Sequence, residues 1–115
     1  MESQLYQEIR NYLQNETIPT QVTNNRILKR WKNFCKLYHQ INQVLYRKTK
    51  WSPLTKVIKR GETAPLIYLY HNDPLAEHIG TTKVMQKIRL QYFWPQMYEE
   101  IKRYCSTTYG TAVAQ

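Results

Sequence analysis

Leu5, Tyr6, Ile9, Tyr12 and Leu13 recur at i, i+1, i+4, i+7 and i+8, which draws one apolar stripe on an amphipathic helix over residues 2–14. The next ten residues, NETIPTQVTN, hold Pro19 with several Thr and Asn, side chains that compete with a helix for backbone hydrogen bonds, and predict a linker. A second helix opens at Asn24 or Asn25 as N-cap and carries Ile27, Leu28, Trp31, Phe34, Cys35 and Tyr38 inward, with Lys29, Lys32, Asn33 and Lys36 outward. The period then changes. Ile41, Val44, Leu45 and Tyr46, followed by Leu54, Val57 and Ile58, are mostly β-branched, aromatic or aliphatic and are bounded by Asn, Ser, Pro and Gly, as the strands of one β-hairpin would be.

Three further helices follow. Thr63 caps the first, which ends near His71 and buries Leu66, Ile67, Leu69 and Tyr70. The second spans 81–92, with Val84, Met85, Ile88 and Tyr92 on one side and Lys83, Lys87 and Arg89 on the other, until Trp94-Pro95 breaks it. The last runs from Gln96 with Met97, Ile101, Tyr104 and Cys105, and its weakly helical continuation STTYGTAVAQ frays. The pattern therefore predicts an α+β class, a mostly helical small domain with one β-hairpin. It divides into a basic helical segment over 1–40, a hairpin-plus-helices unit over 41–105 and a frayed tail over 106–115.

A length of 115 residues and a hydrophobic fraction of 42% suffice for one folded domain. No run of about 18 apolar residues occurs, and the opening MESQLYQEIR lacks the basic-then-apolar order of a signal peptide, so the expectation is an intracellular protein without a membrane partner. Cys35 and Cys105 are too few for a disulfide framework.

Charge changes the picture more than composition does. Against 17 Lys+Arg stand 8 Asp+Glu, a formal net charge of +9. Between Glu16 and Glu62 there is no acidic residue, while eleven cations lie in that interval, interleaved with Trp31, Phe34, Tyr38, Tyr46 and Trp51. Phosphate neutralisation joined to base stacking needs that mixture, so nucleic acid is the expected partner. Lys29, Lys32, Lys36, Lys48, Lys50, Lys83 and Lys87, on the polar faces of their elements, are the candidate phosphate contacts. The alternative is a solvated basic face over an aromatic core.

Catalysis has no support in the pattern. The eight carboxylates form no spaced trio for two-metal phosphoryl transfer, and three glycines cannot build a phosphate-cradling loop. His71 and His78 flank the loop NDPLAE and stand at the mouths of consecutive helices, where two imidazoles could converge on one Zn²⁺. The alternative is a pair of capping or surface residues.

The stretch LIYLYHNDPLAEHIGTTKVMQKIRLQYFWPQMYEEIKRY, residues 66–104, resembles the N-terminal zinc-binding domain of integrases from gypsy-type LTR retrotransposons. The matching positions are His71, His78, the Gly80-Thr81-Thr82-Lys83 run and Tyr92-Phe93-Trp94-Pro95-Gln96-Met97. The resemblance implies a small helical unit in which two His and a downstream Cys-x-x-Cys hold one zinc, and which assists integrase multimerisation and DNA contact while a separate domain carries the chemistry. Its first two ligands map to His71 and His78. The two Cys would fall at 108 and 111, where this chain has Thr108 and Thr111, and a neutral hydroxyl is a poor substitute for a thiolate. Cys105, about one turn earlier, is the remaining thiol, with burial beside Ile101 as its alternative reading. The implied function is a non-catalytic accessory module of DNA integration, truncated or degenerate in its ligand set, with nucleic acid and self-association or integrase partners, in the nucleus or a retroelement particle. The alternative is a metal-free helical protein-interaction module.

Overall fold

The fold is described from a computed structural model over residues 1–72 and 80–114, with side chains as far as Ser106. Helix α1 is Ser3–Asn15, and its stripe is the one the spacing draws: Tyr6 and Ile9 are buried, and Leu5, Tyr12 and Leu13 pack against the same core. Helix α2 is Asn25–Cys35. The carboxamide oxygen of Asn24 accepts from the Ile27 amide at 2.9 Å, which satisfies one of the donors that every helix start leaves open.

After α2 the structure departs from the sequence expectation. Tyr38 does not extend the helical stripe but opens strand β1, Tyr38–Ile41, which turns through Asn42 and Gln43 into β2, Val44–Arg47. Both turn residues have positive φ, 50° and 67°, the backbone of a two-residue hairpin turn that matches strand twist. Strand β3, Thr55–Val57, pairs antiparallel with β2, so the single hairpin expected from 41–58 is three strands. His39, placed by the pattern at a helix end, is an exposed residue of β1.

Helix α3 is Thr63–His71, and Glu62 rather than Thr63 occupies the N-cap; Thr63 is buried, and its hydroxyl donates to a Glu100 carboxylate oxygen at 2.5 Å. Leu69, expected inside, is 67% exposed. Helix α4, Thr81–Ile88, is shorter than the predicted 81–92, because the chain turns at Leu90 and Gln91 and Tyr92–Phe93 becomes strand β4, parallel to β3 with Val57 opposite Phe93. The described strands form one sheet in the order β1-β2-β3-β4. Helix α5, Met97–Ala114, continues through the residues for which a frayed end was expected. The α+β class holds.

Two apolar clusters result. One joins Met1, Tyr6, Ile9, Cys35, Tyr38, Leu45 and Val57. The other joins Ile58, Ile67, Val84, Ile88, Trp94, Met97, Ile101 and Cys105. Phe93 packs against both, so the two-residue parallel strand is where they meet.

Candidate functional site

The metal half of the expected site is only partly within the described residues. His71 closes α3 with its ring perpendicular to that of Tyr104, centroids 6.0 Å apart, and its Nδ1 is buried with no hydrogen-bond partner. An orphaned ring nitrogen suits a ligand, yet one imidazole is not a zinc site, since structural zinc is held by four nitrogen or sulfur donors. His78 lies outside the described residues, as do the side chains of Thr108 and Thr111. Cys105 is 5% exposed among apolar neighbours; burial pushes its thiol pKa up, and a hydrogen bond with the Thr81 side chain offsets part of that. No group of three or more His, Cys, Asp or Glu able to hold a metal occurs among the described residues. His71 and Cys105 therefore do not make up a zinc site by themselves.

The candidate lysines are all exposed, but they do not form one patch by element. Lys29 and Lys32 on α2 and Lys36 at its C-terminal cap stand together, and with Tyr12, Leu13 and Leu28 they line a groove of about 500 Å³ between α1 and α2. Three ammonium groups over an apolar floor can hold a polyanion while the stems cover the aliphatic surface. Lys48 and Lys50 follow β2, and the Lys50 Nζ lies 4.7 Å from the centroid of the Trp51 ring. Lys83 and Lys87 project from α4.

Sequence reasoning missed a second gathering of cations. Arg47 and Arg89 are 42 positions apart in the chain, and parallel pairing of β3 with β4 brings their elements to one cleft of about 200 Å³. The interleaving of aromatic and basic residues was the only signal, and it did not say which cation meets which ring.

Residues 58–108 match the model of the integrase zinc binding domain. The match takes in 51 of the 115 residues, and that segment is similar to the integrase zinc binding domain. Its first residue, Ile58, is also the first member of the second apolar cluster, all of whose members fall within the matched span, so the family segment coincides with one packed core. A 54-residue stretch, 46% of the chain, is 32% identical to the Retrovirus-related Pol polyprotein from transposon 412 of Drosophila melanogaster. The aligned part covers 4% of that polyprotein. No solved structure matches the chain with significance. The integrase zinc binding domain is a non-catalytic domain, and no helix among the described residues is long and apolar enough to cross a membrane.

Proposed function

We propose that this chain is a non-catalytic accessory module of a retrotransposon integrase, holding nucleic acid and protein partners during DNA integration. The observation that carries the reading is the coincidence of the family span, 58–108, with a self-contained apolar core, joined through Phe93 to a strongly cationic unit. The first supplies the family context, the second the polyanion chemistry. Lys29, Lys32 and Lys36 supply phosphate contacts from α2, with Lys48, Lys50, Lys83 and Lys87 on the remaining elements. DNA is the favoured nucleic acid, and the nucleus or the retroelement particle the favoured place. In this reading the ligand set is a degenerate one, because Thr108 and Thr111 stand where the family resemblance calls for thiolates.

A charge-reversal variant, K29E/K32E/K36E, tests the reading by gel-shift titration of duplex DNA. At least a tenfold loss of affinity with an unchanged melting temperature supports it, in line with the sequence-independent phosphate term that dominates such binding. Undiminished binding removes α2 from the interface.

A second reading, a metal-free protein-interaction module, is favoured by Tyr68 and Leu69 on α3, which are 55% and 67% exposed, and by Leu90, 53% exposed after α4. A partner that covers them would bury Leu69, as the helix pattern predicts, together with Tyr68 and Leu90. Sedimentation of the free chain separates self-association from docking on another protein.

A further inference from the structure

Arg47 at the end of β2 and Arg89 at the C-terminal cap of α4 line the same cleft, about 200 Å³, together with Trp51, Tyr92, Phe93 and Tyr98. Each guanidinium lies over an aromatic face. The guanidinium carbon of Arg47 is 4.2 Å from the Phe93 centroid and 5.7 Å from that of Tyr38. That of Arg89 is 4.3 Å from the Trp51 centroid, a ring that Lys50 also approaches. The Nε of both arginines is buried without a hydrogen-bond partner. Neither arginine is ion-paired: among the described residues the ion pair is Arg60 with Glu2, and Glu99, although it lines the cleft, makes no salt bridge to either guanidinium.

Stacking fixes the plane of a guanidinium and occupies its faces, but it leaves the in-plane N–H edges free. Two such forks in one cleft, neither of them paired to a carboxylate, can offer their terminal N–H groups to a tetrahedral oxyanion, which accepts bidentate hydrogen bonds from planar donors. The rim narrows the choice of oxyanion. Trp51 and Tyr98 are 42% and 48% exposed beside the cleft, and a chain that carries phosphates next to flat aromatic bases meets both features at once.

We propose that this cleft is a phosphate-binding notch for a nucleic-acid strand, in which Arg47 and Arg89 grip a backbone phosphate and the exposed face of Tyr98 takes an adjacent base. The proposal rests on the nucleic-acid reading above and adds to it a site outside the lysines already named. Trp51 and Phe93 act as positioning residues that hold the forks. Because Arg47 and Trp51 precede the family segment and Arg89 lies within it, the notch needs both parts of the chain.

The test uses the full chain and fluorescein-labelled oligonucleotides, single-stranded and duplex, titrated over a salt series. R47Q, R89Q and R89K are compared with K29Q/K32Q, and thermal melting checks each fold. R89K keeps the charge and loses the fork, so it remains informative if a glutamine variant fails to fold. The expected result is a loss of about tenfold for R47Q and R89Q with a salt slope shallower by about 1, and for R89K a comparable loss at an unchanged slope. If the unsubstituted chain binds and K29Q/K32Q weakens it, but the arginine variants bind like the parent with the same slope, the notch is overturned and the broader reading stands. If the unsubstituted chain binds no oligonucleotide even at low salt, both fall together.

Discussion

The indole Nε1 of Trp94 donates to a carboxylate oxygen of Glu100 at 2.6 Å, while the other oxygen of that carboxylate accepts the Thr63 hydroxyl. One side chain on α5 thus ties the buried tryptophan to the start of α3. An indole N–H can only donate, so it has no alternative once its acceptor is lost. Replacing Glu100 with Gln turns one acceptor into a donor and should destabilise the chain by about 1.5–3 kcal/mol, the range for a hydrogen bond to a charged group. Urea unfolding should show the midpoint falling at constant m-value.

Tyr6 plays the matching role in the first cluster. Its hydroxyl oxygen accepts from the Leu45 amide at 2.9 Å, a buried bond between α1 and the interior of the sheet. Tyr6→Phe keeps the ring and strands the amide, for an expected cost of about 1–3 kcal/mol. Calorimetry of the two proteins checks it.

Both of these bonds lie beyond what a sequence window can see, whereas the stripes that bring the partners together were readable. The residues of α1 fell on the predicted face because one helix buries one stripe. In α2 the same logic misled at its end. Tyr38 sits at helical spacing from Phe34 and is buried on it, ring centroids 5.2 Å apart, but a turn at Lys36 and Leu37 delivers it there from a strand. A hairpin was expected here, but the tight turn that makes it three strands went unseen because Asn42-Gln43 lacks the glycine that marks such turns, and β4 because two residues paired with a strand 36 positions earlier leave no local period. Of the proposed site, the exposure of the individual lysines was legible and the Arg47–Arg89 gathering was not, since it depends on that pairing.

Gln43 holds φ at 67°, where a side chain is disfavoured. Gln43→Gly should therefore stabilise the protein by about 0.5–1 kcal/mol, by creating the Asn-Gly pair that the turn favours. A rise in melting temperature without a change in DNA affinity is the expected outcome.

Burial pushes the Cys35 thiol up to about 11 from 9.0. Between those two values the unfolded chain has lost the proton that the folded chain retains, so folding is linked to proton uptake there. The thiol's contribution is fully present below pH 9 and is lost as pH rises toward 11. Denaturation curves at pH 8 and pH 10 should differ in that direction, with a smaller difference in Cys35→Ala. An alkylating reagent at neutral pH should leave Cys35 untouched until denaturant is added, because the thiolate is the reactive form.

The second core is closed by apolar side chains from Ile58 to Cys105, so a metal chelator should leave the melting curve and the helical signal where they were. Elemental analysis giving about one zinc per chain, with helicity lost on chelation, would contradict this, as metal-dependent small domains unfold when stripped.

The proposed function requires the cationic unit beside the integrase-type core to bind nucleic acid through its phosphates. Its most direct test is the equilibrium affinity of the unsubstituted chain for a labelled DNA duplex between about 50 and 200 mM salt, plotted as log K against log salt. With several of the named lysines and arginines engaged, a straight line of slope about −4 or steeper is expected, since each neutralised phosphate contributes about −0.9. A flat line, or no measurable binding at the low-salt end, would contradict it.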